Sequence, residues 1–314
     1  MATTRRSNNL IGGALLMLAC TGLQADESAQ CKTVRFGLMS WTDLIATTAV
    51  ASTLFQRLGY TTEQTTAAQQ IIYGGMRDNR LDAFVGYWKP SSDKTIGPYI
   101  EKGQVAVFPE PNLPDGQMTL AVPTWLANKG LKTFADIPRF EKELGGRIYG
   151  IDPGTDINNR LLGAIKDNRF GLNKFKLVES SEAGMLAAVS RAEQRKEGFV
   201  FIAWKPHPMN INMDLTYLTG SEGLMGPEEG KATVWTVTRA GYANDCPNAD
   251  KLLSNIRFTA DQEAKMMVKI LDHVDPMMVA KDFIADNPQV VENWMAGVTT
   301  FSGSQALPVV MNTP

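Results

Sequence analysis

Residues 33–60, TVRFGLMSWTDLIATTAVASTLFQRLGY, form the first repeating unit of the chain. TVRFGLM reads as a strand, and DLIATTAVASTLFQRLGY as a helix closed at Gly59. Trp41 stands between them, where the strand gives way to a loop. The same order recurs further along. AFVGYW (83–88) ends on Trp88 in VGYWKP, and FVFIAW (199–204) ends on Trp204 in FIAWKPH. Each tryptophan follows an apolar run and precedes a charge within two residues. An indole face attracts a methylated ammonium through its negative π-cloud, and such a cation donates no ordinary N–H hydrogen bond. Three faces from separate parts of the chain point to an aromatic cage. Packing beneath neighbouring helices is the competing reading for any one of them.

Outward from this unit, strand-like and helix-like segments alternate. IIY (71–73) reads as a short strand, with a polar turn-and-helix segment between it and AFVGYW. TLAVPTW (119–125), RIYGI (147–151) and KLVES (176–180) read as strands. FADIPRFEKEL (134–144), NNRLLGAIKDNRF (158–170) and AGMLAAVSRAEQRK (183–196) read as helices. This rhythm predicts an α/β fold with open, largely parallel sheets. From about residue 247 the pattern turns helical, and the tail after Ser302 reads as frayed. Met266, Met267, Met277 and Met278 fall at apolar helical positions and read as core, as do Trp125 and Trp294. Without a flexible linker, the two α/β units are expected to be lobes joined by crossing strands near 119–123 and 233–241. The first lobe is expected to take residues 26–117 and 238–314, and the second 118–237. Ligands of such sheets bind at the carboxyl ends of strands, where the three tryptophans lie.

The 314 residues suffice for two cored domains, and a net charge of −2 with no basic, aromatic-interleaved stripe argues against nucleic-acid partners. Arg5 and Arg6, an apolar run from Leu10 to Ala19, and a small, polar stretch to Ala25 have the order of a secretory signal (residues 1–25), too short for a stable membrane anchor. Cleavage near Ala25 and a periplasmic location are expected. Cys20, in MLAC, distantly resembles an acylation site. Cys31 and Cys246 remain as an even pair in an exported protein, which reads as one disulfide.

Catalytic signals are sparse. The two histidines, His207 and His273, form no cluster with cysteine at metal spacing, no G-x-S-x-G elbow occurs, and GPEEGK (226–231) is too short for a phosphate loop. His207 reads as a loop-stabilising residue and His273 as a surface one. No cofactor is expected; a metal site is left undefined. An enzyme acting on a methylated amine is the remote alternative, and a clamp serving a chemoreceptor shares the same pattern.

GLMSWTDLIATTA, VGYWKP, YGIDPGTD, SSEAGML, FIAWKPHPMN and RAGYANDCPN together resemble the periplasmic binding proteins of ABC importers for choline, glycine betaine and related quaternary amines. The resemblance covers nearly the whole mature chain. It implies a type II periplasmic binding fold with the ligand held between lobes, a transporter permease as partner and a monomeric protein. Trp41, Trp88 and Trp204 match the cage positions, Asp43 matches the carboxylate facing the cation, and the paired cysteines match too. Asp43 also lies at a helix start, where a carboxylate favours unpaired N–H groups and the macrodipole; capping alone and capping combined with attraction for a cation both stand. Met118 replaces an aromatic and Thr155 an asparagine of the choline-binding pattern. Trp235, at the second crossing, reads equally as an added pocket wall or as core. A smaller pocket follows, for which trimethylamine N-oxide is the first expectation. Choline and glycine betaine are the alternatives, with carnitine behind them.

Overall fold

The computed structural model describes residues 1–2 and 27–313. Apart from Met1 and Ala2, the expected signal segment, with Cys20 and the cleavage site, lies outside the described residues. Ten strands occur among the described residues: β1 (Thr33–Leu38), β2 (Thr61–Thr66), β3 (Ala83–Lys89), β4 (Val105–Val107), β5 (Leu113–Pro123), β6 (Arg147–Tyr149), β7 (Lys176–Val178), β8 (Phe201–Lys205), β9 (Leu215–Tyr217) and β10 (Lys231–Arg239). They hydrogen-bond in the order β2-β1-β3-β10-β5-β8-β6-β7, with β4 on β10 and β9 on β5. Pairing is parallel towards both ends and antiparallel through the middle.

The two long middle strands each change partner along their length. β5 pairs with β10 through Leu113–Gln117 and with β8 through Gln117–Ala121. β10 pairs with β5 up to Val234 and with β3 from Thr233 onward. They therefore carry the chain between a β1–β3 half and a β6–β8 half. After β10 the chain stays with the first half, adding the helices Pro247–Asn255, Ala260–Leu271, Pro276–Asp286, Pro288–Trp294 and Ala306–Asn312 around a core that includes Phe36, Phe55, Phe258, Phe283 and Trp294.

The helix Thr42–Arg57 is buried on almost every side, between the sheet and the helices Ala260–Leu271 and Pro276–Asp286. Its small residues allow that close packing. Thr47 and Thr53 satisfy their buried hydroxyls on carbonyls one turn back, those of Asp43 and Ala49, at 3.0 and 2.8 Å. Gly86 of β3 lets the helix settle on the sheet, since a Cβ there would lie 2.4 Å from Leu44 Cδ1.

Several segments differ from the sequence-based expectation. IIY is the middle of the helix Gln69–Arg77, which buries Ile72, Tyr73 and Met76 on one face; three adjacent apolar residues fit either period. The strand is instead TTEQTT, an exposed edge whose threonines suit β geometry although it lacks an apolar alternation. FADIPRF winds as a 3-10 helix with Pro138 inside, where the missing N–H removes an α-helical bond. The first crossing strand starts at Leu113, earlier than expected, and Trp125 falls in the short helix Thr124–Asn128. The tail after Ser302 is a helix with Ala306 and Val310 buried, and Met278 is 61% exposed, not core.

Cys31 and Cys246 form a disulfide across a sequence separation of 215, with Cα atoms 5.6 Å apart. Closing a loop of that length is worth about 5 kcal/mol in the chain-entropy description. Replacing both cysteines by serine should lower the unfolding free energy in urea by a large part of that amount. A loss below about 1 kcal/mol would show that the bridge adds little to stability.

Candidate functional site

The sheet register fixes where three of the candidate side chains go. Trp88, near the end of β3, stands opposite Val234, and Trp204 of β8 stands opposite Met118 of β5. Two residues before Met118 is Gly116, where a Cβ would lie 3.2 Å from the Trp88 ring and 3.0 Å from Ala232 O. The strand thus presents bare backbone to Trp88 and the Met118 side chain beside Trp204. Trp41, Trp88, Met118 and Trp204 are all buried and belong to one apolar cluster that runs through both halves of the sheet.

A hydrogen-bonded chain ties these aromatics together. Trp88 Nε1 donates to Asp43 Oδ2 at 3.0 Å. The neighbouring Thr42 donates from its backbone N–H to Glu182 Oε2 (2.9 Å) and from its hydroxyl to Glu182 Oε1 (2.5 Å). His207 Nδ1 accepts the Met209 N–H at 3.0 Å, so the ring hydrogen sits on Nε2, which meets Glu182 Oε1 at 3.1 Å. The His207 ring in turn stands edge-on to Trp204, with centroids 4.9 Å apart. Trp41 Nε1 donates to Asp152 Oδ2 at 2.7 Å. The segment Trp41–Asp43 is therefore bound to Trp88 within its own half and to Asp152 and Glu182 in the other, with Trp204 reached through the His207 ring.

Asp43 does not cap its helix. Trp41 holds the N-cap position without a side-chain bond, and the Thr42 N–H is satisfied from across the molecule by Glu182. Asp43 is 2% exposed, and its Oδ1 is a buried carboxyl oxygen with no hydrogen-bond partner among the described residues. Burial pushes this carboxyl up to about 7; the charge of Glu182 adds to the effect, and the Trp88 N–H, with the backbone N–H groups of Leu44 and Asp43, partly opposes it. Glu263, on the helix Ala260–Leu271, is fully enclosed too. Burial first, and then the charge of Asp43, hold it well above the usual carboxylate range. Buried acids of this kind, one with an idle oxygen, are suited to a cation that brings no N–H donors of its own.

Two expected residues lie elsewhere. Trp235 pairs with Tyr87 rather than Trp88, so it faces the opposite side of the sheet. Its Nε1 donates to Thr233 Oγ1 at 2.7 Å and Lys89 Nζ lies 5.6 Å from its ring, which makes it neither a cage wall nor deep core. Thr155 flanks the site. It begins the helix Asp156–Lys166, its hydroxyl donates to Asp152 O at 3.0 Å, and it lines a cavity of about 190 Å³ with Met39, Ser40, Gln70 and Asp152. His207, read as a loop residue, is a buried part of the Glu182 network.

Further bonds join the two halves around this region. Asp156 accepts from Thr95 N–H and hydroxyl at 2.7 and 2.8 Å. Arg160 Nη2 donates to Pro90 O at 2.6 Å, and Gln70 Nε2 to Gly154 O at 3.2 Å.

The family model for the substrate binding domain of ABC-type glycine betaine transport systems matches residues 32–286. The chain belongs to this family. Among solved structures it is 43% identical to an ABC-transporter choline binding protein, and the match covers 90% of this chain and 98% of that one. The TM-score is 0.87 for the complex with choline and 0.82 for the unliganded, semi-closed form. The glycine betaine/carnitine transport binding protein GbuC of Listeria monocytogenes is 32% identical over 169 residues, 52% of this chain and 55% of that protein. Lactococcal OpuAC in its closed, glycine betaine-bound form shares the fold, at 24% identity and a TM-score of 0.76, covering 84% of this chain and 99% of that one. The fold is thus that of the type II periplasmic binding proteins within this family.

Glu182, Asp152 and Glu263 were not singled out from sequence. Glu182 sits within SSEAGML directly after the N-cap Ser181, and a first-turn glutamate there ordinarily reads as a solvated partner for its own helix. Nothing local marks its crossing to another helix.

The Asp43 carboxyl generates a pH dependence whose sign follows from the proton count. Between pH 4 and 7 the folded protein keeps a proton that the unfolded chain, with an ordinary aspartate near 3.8, has lost. Unliganded stability should therefore fall as pH rises through this interval, by up to about 1.4 kcal/mol per pH unit per proton, and level off above 7. Asp43→Asn should flatten that slope to the part left by Glu263. Urea unfolding at stepped pH measures it, and an equal slope in the variant would refute the assignment.

Proposed function

We propose that this chain is the exported solute-binding component of an ABC importer for a small methylated ammonium, held by Trp41, Trp88 and Trp204 and faced by Asp43. The observation that carries this reading is the idle, buried Oδ1 of Asp43, positioned by Trp88 in the cluster shared with the other two tryptophans. A carboxylate left without a donor in an apolar enclosure is costly alone, and is compensated by a charge that needs no hydrogen bond. The Cys31–Cys246 bridge supports export to an oxidising compartment. The partner changes at Gln117 and at 232–234 support two lobes hinged on β5 and β10, divided close to the expected boundaries. Release to a permease and action as a monomer complete the reading, without a catalytic step.

The order of ligands expected from sequence changes here. Trp235 faces away from Trp88, which removes one of the three reasons for a smaller pocket. Two further acids, Glu182 and Glu263, interact with Asp43; they favour a ligand with a full positive charge over one that carries its own negative oxygen. Choline is therefore placed first. Trimethylamine N-oxide stays as the second reading because Met118 lies beside Trp204, where the choline-binding pattern has an aromatic.

Calorimetry at pH 8 with choline, glycine betaine, trimethylamine N-oxide and carnitine should give the tightest binding for choline. Its roughly seven heavy atoms permit a dissociation constant well below micromolar, whereas about five heavy atoms hold the N-oxide near a few micromolar at best. Tighter binding of the N-oxide than of choline would reverse the order, and no heat from any of the four would end the reading. Trp41→Ala, Trp88→Ala and Trp204→Ala should each weaken choline at least tenfold, since a desolvated cation–π contact is worth about 2 kcal/mol or more, with an unchanged far-ultraviolet spectrum.

A further inference from the structure

Glu182 opens the helix Glu182–Gln194, whose own N-cap is supplied by Ser181, with its hydroxyl accepting the Gly184 N–H at 3.2 Å. Glu182 is consequently released from serving its own helix. Though 3% exposed, it reaches the first turn of a different helix, Thr42–Arg57, in the other half of the molecule. There its two oxygens take the Thr42 N–H, the Thr42 hydroxyl and the His207 ring. The next residue is Asp43, so two carboxylates, one from each half, meet at one helix N-terminus. Glu263, a third buried acid on the helix Ala260–Leu271, also feels the charge of Asp43.

Resting on the cation-binding reading above, we infer that Glu182 is a specificity-determining positioning residue. Its hydrogen bonds to Thr42 and His207 clasp the halves, while its charge beside Asp43 makes closure favourable only around a net cation. The hydrogen bonds draw the halves together, and the approach of like charges in an enclosed site opposes them. A positive centre at the idle oxygen of Asp43 removes the opposition; an uncharged molecule of the same shape leaves it in place. The dipole of the helix Thr42–Arg57 offsets part of the repulsion but does not distinguish between ligands. The charged groups facing Asp43 are Glu182 and Glu263, and Trp88 contributes an N–H donor. His207 and Asp152 reach this turn only through Glu182 and Trp41.

The test compares choline with its uncharged carbon isostere, 3,3-dimethylbutan-1-ol, by calorimetry between pH 5.5 and 8.5. Two variants separate charge from clasp. Glu182→Gln keeps the size and much of the hydrogen bonding but removes the charge. Thr42→Val keeps both carboxylates and removes one clasping bond. Glu182→Gln is expected to weaken choline about tenfold at pH 8, to leave the isostere unweakened or bound more tightly, and to move the midpoint of choline affinity against pH down by about one pH unit. Thr42→Val is expected to weaken both ligands by a common factor with the midpoint unmoved. The midpoint decides where the isostere binds too weakly to measure. Equal weakening of both ligands by Glu182→Gln with an unmoved midpoint would reduce Glu182 to a clasp and overturn the inference. Failure of the wild-type protein to bind any of the methylated amines overturns the functional reading itself, a result that no behaviour of the variant can imitate.

Discussion

A carboxyl group at the first turn of a buried helix, with one oxygen held by an indole and the other unpaired, is the constraint that organises this molecule. Asp43 can occupy that position because Trp88 supplies its single hydrogen bond and Gly86 lets the helix Thr42–Arg57 rest directly on β3. The Thr42 N–H, in the same turn, finds its acceptor across the molecule in Glu182. A local departure from helix-capping practice thus leaves one charge site idle and binds the two halves of the molecule to each other.

The halves are held by dispersed polar contacts around a shared apolar cluster. Thr95 with Asp156, Arg160 with Pro90 O, Trp41 with Asp152 and Thr42 with Glu182 span the line between them. Each has a carboxyl or guanidinium partner, and a hydrogen bond to a charged group has a net worth of about 1.5–3 kcal/mol.

Much of this was legible in the chain itself, for identifiable reasons. Trp41, Trp88 and Trp204 end strand-like runs, so their shared position follows from period and punctuation alone, and Cys31 with Cys246 follows from arithmetic. The α/β class followed from alternation. What escaped was of two kinds. TTEQTT lacks an apolar face because it is an edge, and IIY is too short for its period to be read, so β2 and the helix Gln69–Arg77 were exchanged. Contacts made between distant segments were the other kind. Glu182 meets Thr42 across 140 residues, and the pleat of β10 turns Trp235 away from Trp88; neither leaves a local trace. Asp43 stands in the first turn of the helix Thr42–Arg57, as its place after Trp41 and Thr42 suggested, whereas the tie from Glu182 to Thr42 had no local sign.

The bridge between Cys31 and Cys246 has a topological effect beyond its energy. Every strand from β1 to β10, with Trp41, Trp88 and Trp204, lies inside the span it closes. A protease that severs one exposed loop within that span leaves two pieces still joined by sulfur, packed on a common interior and able to keep their arrangement. Only a cut outside the ring, or a second one within it, sets a fragment free. The fold thereby tolerates a single break at its most accessible surface.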